Sequence, residues 1–362
     1  MNIKWFLCVF VGLLAFSPFS FAEKKEAMFW KAERDNAVRC LLCPRKCLIP
    51  KGKRGICRTR ENVNGRLWTL NWNNPVAVHN DPIEKKPFFH VWPGARALSI
   101  ALAGCNMRCL FCQNWQISQI GPDEGPSFHL SPSQIVELAK QYHINWVVYT
   151  YSEPTVFYEY MLQSARLAKQ NGLMTGMHSC GYINPEPLKE LLPYIDAANI
   201  DLKGFSEEFY NKIGLMASIE PVLNSLKIIK ESGTWLEITC LIIPGVNDSE
   251  DKVRQMCRWI VENLGKDVPV HFSRFYPMYK MNNLPPTPVA VLERCATIAR
   301  EEGLMFVYIG NVPGHNQEDT YCPFCHKLLI DREGYMIKEN HIKDGRCEFC
   351  GKEIPGLWRG EK

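Results

Sequence analysis

From Ala97 onward the chain alternates short apolar runs with longer amphipathic stretches. Ala97–Ala103, Asn145–Thr150, Leu173–His178, Ala198–Leu202, Trp235–Ile243, Val268–Ser273 and Met305–Ile309 read as strands, since short apolar runs bounded by turn residues suit strands buried on both faces. Between them, Ser131–Gln141, Thr155–Gln170, Pro221–Glu231, Ser249–Leu264 and Pro288–Glu302 carry helical spacing. Ser131 before Pro132, and Asp248-Ser249-Glu250, supply helix-start chemistry. Repeated βα units of this kind build a parallel sheet, here an α/β fold of the partial (βα)6 TIM-barrel type. Residues 28–95 lack this alternation, and from His315 it stops. The expected organisation is a first segment (1–27), a Cys-rich N-terminal lobe (28–95), a barrel (96–314) and a Cys-bearing tail (315–362).

Composition narrows this picture little. Hydrophobic residues make up 46% and charged residues 22% of 362 positions, which excludes a disordered chain and a multi-span membrane protein. Forty-two Lys and Arg against thirty-eight Asp and Glu leave a charge of +4, too weak a bias to argue for nucleic acid, and no nucleic-acid partner is expected. The apolar run Trp5–Ala22, ending Ser20-Phe21-Ala22, has the form of a signal or a membrane anchor, with a translation start at Met28 as the alternative. Lys24, Lys25, Lys31, Arg34 and Arg39 follow this run and only Lys4 precedes it, a bias that favours the cytoplasmic face for the body of the chain.

Cysteine is the outlier. Eleven of sixteen fall into three tight groups, Cys40/Cys43/Cys47/Cys57, Cys105/Cys109/Cys112 and Cys322/Cys325/Cys347/Cys350. Spacings this short suit several thiolates on one metal or cluster better than a disulfide framework. Cys8, Cys180, Cys240, Cys257 and Cys295 stand alone and read as small buried side chains. The last group, two C-x2-C knuckles, predicts a structural zinc ribbon. The first group offers four thiols that read first as a zinc site, with an auxiliary iron–sulfur cluster the alternative; four thiolates serve either, and spacing does not separate them. Lys85, Lys86 and His90 nearby read as surface residues, with an acidic substrate the alternative.

The central group, C-x3-C-x2-C, follows directly on a strand and the Gly104 turn. Three thiolates hold three irons of a cubane and leave one open, and strand C-termini are where barrel enzymes place chemistry. Other polar clusters end the following strands: Tyr151-Ser152-Glu153-Pro154, Ser179-Cys180-Gly181-Tyr182, Asp201-Leu202-Lys203 and His271-Phe272-Ser273-Arg274. Parallel strands deliver all of them to one mouth.

These motifs together resemble the radical S-adenosylmethionine (SAM) enzymes. Gly104-Cys-Asn-Met-Arg-Cys-Leu-Phe-Cys-Gln-Asn-Trp115, with Ile83-Glu-Lys-Lys-Pro87 upstream, resembles more narrowly the pyruvate formate-lyase-activating-enzyme-like branch called the AmmeMemoRadiSam-system radical SAM enzyme. The resemblance implies a [4Fe-4S] cluster on Cys105, Cys109 and Cys112, with the SAM amine and carboxylate on the open iron. Ser152, Glu153 and Pro154 would receive the methionyl ammonium, mainly through backbone carbonyls, and Asp201 and Lys203 would contact the methionine or ribose portion. Family enzymes carry two glycines where this chain has Tyr151-Ser152. The resemblance further implies reductive cleavage of SAM to a 5′-deoxyadenosyl radical that abstracts hydrogen from a protein or small-molecule substrate, a low-potential electron donor, and association with proteins carrying AMMECR1-like and MEMO-like domains. The competing reading is a non-enzymatic multi-zinc module that binds protein or RNA.

Overall fold

The computed structural model describes residues 24–214 and 217–358. The signal-like run and Cys8 lie outside the described residues. Seven parallel strands form the centre: β2 (Arg96–Ala101), β3 (Trp146–Tyr149), β4 (Met174–Ser179), β5 (Ala197–Asp201), β6 (Trp235–Ile242), β7 (Val270–Arg274) and β8 (Val307–Gly310). They are laid side by side in chain order, and β1 (Ala77–Pro82) pairs antiparallel with β2 at the other edge. The outer helices are α1 (Pro132–Gln141), α2 (Tyr158–Gln170), α3 (Pro185–Leu191), α4 (Glu220–Glu231), α5 (Glu250–Leu264) and α6 (Val289–Glu301). The edges β1 and β8 do not pair with each other, so the barrel stays partial, as expected.

The strand sequences explain how the sheet curves. In β3, Trp146 and Val148 join one apolar cluster while Val147 and Tyr149 join another, and Ala97/Leu98 and Ala197/Ala198 divide the same way. This period of two sends alternate residues inside the barrel and under the helices. The inner cluster is completed by Ile83, Phe88 and Val91, from a segment that plugs the barrel floor. Gly176 makes room for it, since a Cβ there would lie 3.3 Å from the Phe88 ring. Asn199 holds the plug by donating to the Pro87 carbonyl at 2.8 Å.

Three differences from the expected organisation have physical causes. Strand β1 comes from within 28–95 but belongs to the central sheet; Ala-Val-His-Asn-Asp-Pro shows no strand alternation, and pairing with β2 overrides its weak propensity. Lys86 and His90 are buried, not surface residues, because the plug carries them inward, while the Lys85 side chain stays 42% exposed. Ser131 forms a full capping box with Gln134, whereas Ser249 starts α5 with no side-chain cap.

The N-terminal lobe consists of small antiparallel ladders, Trp30–Ala32 with Val38–Cys40 and Leu48–Ile49, and Lys25–Glu26 with Arg66–Thr69 and Arg60–Val63. Arg60 and Glu159 on α2, both fully buried, pin it to the barrel at 2.5 Å. The tail forms a three-stranded ladder, Thr320–Tyr321, Leu328–Glu333 and Met336–Asn340, whose Leu329 and Ile330 pack on Phe89, Phe306 and Tyr308. Among the described residues no helix is long and apolar enough to cross a membrane.

Candidate active site

The C-terminal ends of the parallel strands open into one cavity of about 480 Å³. Cys105, Cys109, Cys112, Ser152, Glu153, Asp201, Lys203 and His271 all line it, so the structure brings the expected residues together. Pro154 is buried just behind, opening a short 3-10 turn into α2.

The cysteine loop is held from several directions. Met107 donates its backbone N–H to Cys105 Sγ at 3.3 Å, and Ser118 Oγ lies 3.0 Å from Cys112 Sγ. Burial pushes the Cys109 thiol up to about 11 and raises the Cys105 thiol well above its usual value. These thiols need a cation beside them to ionise.

Glu153 acts as a strap between strand ends. Its carboxylate accepts from Thr155 N (3.1 Å), Thr155 Oγ1 (2.7 Å), Ser179 Oγ (2.7 Å) and Cys180 N (2.9 Å). With four protein donors satisfied, it fixes the mouth of β3 against β4 and leaves ligand contact to the backbone around it. Ser152 Oγ donates to the Leu102 carbonyl at 2.6 Å, tying the same turn to β2.

Asp201 and Lys203 are joined at 2.5 Å, and His178 Nε2 lies 2.9 Å from the other Asp201 oxygen. Burial alone would push the Asp201 carboxyl up, but the Lys203 ammonium and His178 hold it well below the usual range. Burial likewise opposes the charge on Lys203, and Asp201 overrides it. Both ions therefore persist in the cavity wall. His178 was not singled out in the sequence; alternation along β4 from Ser179 was the available signal, but a lone histidine in a strand carries little weight.

His271 faces the cavity and lies 2.7 Å from Glu237, a fully buried carboxylate that also accepts from Phe89 N and His90 N in the plug. Burial would push Glu237 up, yet the His271 bond and His90 hold it down. The tail also contributes: Glu318, Gly334 and Tyr335 line the cavity. Nothing in the sequence connected residues after His315 with this site.

A family model described as the radical SAM superfamily matches residues 99–257. An uncharacterized protein of Methanocaldococcus jannaschii is 47% identical over 332 residues, covering 91% of this chain and 98% of that protein. The chain belongs to the radical SAM superfamily. A pyruvate formate-lyase-activating enzyme of Clostridium pasteurianum is 22% identical over 181 residues, 48% of this chain and 71% of that protein. Among solved structures, a radical SAM methyltransferase from Sphaerobacter thermophilus aligns with a TM-score of 0.48 at 16% identity, over 60% of this chain and 67% of that one.

In this radical SAM protein, Tyr151, at one of the two positions where the resemblance implies glycine, adopts the left-handed conformation with φ +66°. For a tyrosine this costs about 1–3 kcal/mol. The side chain offsets that cost. Its hydroxyl donates to Asp81, Lys86 Nζ sits 4.0 Å above its ring, and Lys86 and Asp81 are joined at 2.6 Å. The Ile83–Pro87 segment thus holds in place a turn that glycine would adopt freely.

The residues present fit a cluster with one open iron. The three thiols come from one loop, and all three line the cavity. They do not converge on a single point: among the described residues only Cys322/Cys325/Cys347/Cys350 place three or more metal-ligating atoms within 4.8 Å of one another. In that tail group Cys322–Cys350 and Cys325–Cys347 are each 3.7 Å apart, matching the edge of about 3.8 Å that follows from a tetrahedral zinc–sulfur length of about 2.3 Å.

Proposed function

We propose that this radical SAM enzyme abstracts hydrogen from a substrate admitted to the barrel mouth, in the manner of glycyl-radical activation. A [4Fe-4S] cluster and SAM would supply the chemistry there, a one-electron reductive cleavage of the sulfonium that yields methionine and a hydrogen-abstracting radical. The protein's part is to bind, orient and exclude water. Cys105, Cys109 and Cys112 would hold three irons. The turn Ser152–Pro154, rigidified by the Glu153 strap, would present backbone carbonyls to the methionyl ammonium. Asp201 and Lys203, an ion pair with unused acceptor and donor capacity, would take hydroxyl and carboxylate groups of the nucleotide and amino-acid portions. Plug and tail residues, Pro87 and Phe89 with Glu318 and Tyr335, add to the cavity wall, which favours a drier site for a reactive radical.

The observation that carries this reading is the cysteine triad opening onto a cavity that Asp201 and Lys203 also line. A zinc ion on Cys322, Cys325, Cys347 and Cys350 would support the tail. The likeness to activating enzymes supports a protein substrate and a low-potential electron donor, and the AmmeMemoRadiSam likeness names proteins with AMMECR1-like and MEMO-like domains as partners to seek by co-purification. Anaerobic protein given SAM and dithionite is expected to release 5′-deoxyadenosine and methionine, and the Cys105→Ala/Cys109→Ala/Cys112→Ala variant is expected to release neither. Equal release from both would refute the assignment.

A further inference from the structure

The four cysteines of the N-terminal lobe surround a small cavity that they share with Arg60 and Asn106. Cys40 ends one strand, Cys43 and Cys47 sit on the turn that follows, and the Cys40 N–H donates to the Cys47 carbonyl at 3.0 Å. Cys57 comes from the next loop, two residues after Gly55, and a Cβ at Gly55 would lie 3.7 Å from Cys47 Sγ. All four are free thiols. Donors are aimed at the sulfurs: Thr59 Oγ1 lies 3.3 Å from Cys57 Sγ, and the Arg60 guanidinium 3.8 Å from Cys40 Sγ.

Charge does not distinguish the metals this quartet could bind, since four thiolates around zinc or around a cubane leave a similar negative excess for Arg60 to offset. Size does. Four thiolates on one zinc stand about 3.8 Å apart, as the tail group does, yet the lobe places no three of its sulfurs within 4.8 Å of one another. A cubane carries one thiolate per iron, at the corners of a body several ångströms across, and so needs both the wider spacing and a void in the middle. The lobe has both.

We propose that Cys40, Cys43, Cys47 and Cys57 bind a second [4Fe-4S] cluster, fully ligated by protein and packed against the loop that carries the central triad. Three contacts establish that closeness. Gly104, directly before Cys105, is pressed against the Cys57 carbonyl, which a Cβ would meet at 2.7 Å. Arg45 Nε donates to the Asn106 carbonyl at 3.0 Å. Arg108, between Cys105 and Cys109, donates to the Ile56 carbonyl. A one-electron centre therefore lies beside the site at which SAM is to be reduced.

The cluster itself does not depend on the radical SAM reading, and the test separates the two. Anaerobically reconstituted wild-type protein is expected to hold about eight irons and eight sulfides per chain. The Cys105→Ala/Cys109→Ala/Cys112→Ala variant, which leaves the lobe untouched, is expected to retain about four irons whose reduced electron paramagnetic resonance signal ignores SAM. Cys47→Ala is expected to lose about four irons and keep a signal that SAM shifts. In the reduced wild type the two signals are expected to broaden each other, which neither variant shows. About four irons with two zincs in the wild type, or a triple variant holding zinc and no iron, would overturn the proposal even if Cys47→Ala fails to fold. A wild-type spectrum equal to the plain sum of the two variants would overturn the placement.

Discussion

Replacing Glu159 by Gln should loosen the N-terminal lobe from the barrel while changing almost no volume. Glu159 Oε1 takes Arg60 Nη2 at 2.5 Å and the Met28 N–H at 2.7 Å, and Arg60 Nη1 donates to the Met28 carbonyl at 2.7 Å. Both side chains are only 1% exposed. Glutamine keeps an acceptor but strips the guanidinium of its carboxylate partner. Breaking a buried pair from one side costs about 3–5 kcal/mol, and the retained acceptor places this change near the lower end. At about 1.4 kcal/mol per decade, 3 kcal/mol means opening about 100-fold more often. Native-state hydrogen exchange reads this directly, comparing Val38–Cys40 and Arg60–Val63 with β4 as internal reference. The double variant Arg60→Met/Glu159→Leu removes both charges and leaves chiefly the Met28 N–H and carbonyl unpaired, at about 1–3 kcal/mol each. It should therefore cost less than the sum of Arg60→Met and Glu159→Leu measured alone. Additive costs, or Glu159→Gln exchange within about twofold of wild type, less than about 0.5 kcal/mol, would refute the coupling.

Further outcomes follow from the cavity and the tail. Asp201→Asn leaves Lys203 without its partner, and losing a charged hydrogen bond worth about 1.5–3 kcal/mol should weaken SAM binding about 10- to 100-fold by anaerobic equilibrium dialysis; unchanged affinity would remove Asp201 from the binding role. Burial pushes the Glu318 carboxyl up to about 7, and Glu318 Oε2 is buried without a hydrogen-bond partner. The folded state therefore holds this proton more tightly than the unfolded chain, so its stabilising effect is present in acid and is lost as pH rises through about 7. Glu318→Gln should raise the melting temperature relative to wild type more at pH 8 than at pH 5.5, and an equal difference at both would count against this burial. Cys350→Ala should release one zinc per chain and increase proteolysis within 315–358, whereas undiminished zinc would place the metal elsewhere.

The sheet was legible because buried parallel strands are short apolar runs, and each of the seven appeared within a few residues of its predicted span. The central triad was equally plain, its spacing being local. What escaped were long-range contacts. The plug reads as a charged, Pro-bounded loop because Lys86 and Asp81 neutralise each other only once folded. Tyr151 looks like a departure from the glycine pattern, yet its backbone keeps the glycine conformation through partners some seventy residues away in the chain. Glu318 and Tyr335 join the cavity only because Leu329 and Ile330 dock the tail on Phe306 and Tyr308. The lobe cysteines could not declare their metal from spacing, since sequence separation does not fix the distance between sulfurs.

The most direct test of the central claim is electron–nuclear double resonance on reduced, anaerobic protein bound to SAM carrying nitrogen-15 in its methionyl amine. Coupling of that nucleus to the cluster spin is predicted, because Cys105, Cys109 and Cys112 would leave one iron for SAM to chelate. Absence of coupling in protein with a full complement of iron, or zinc in place of iron on those three thiols, would contradict the account.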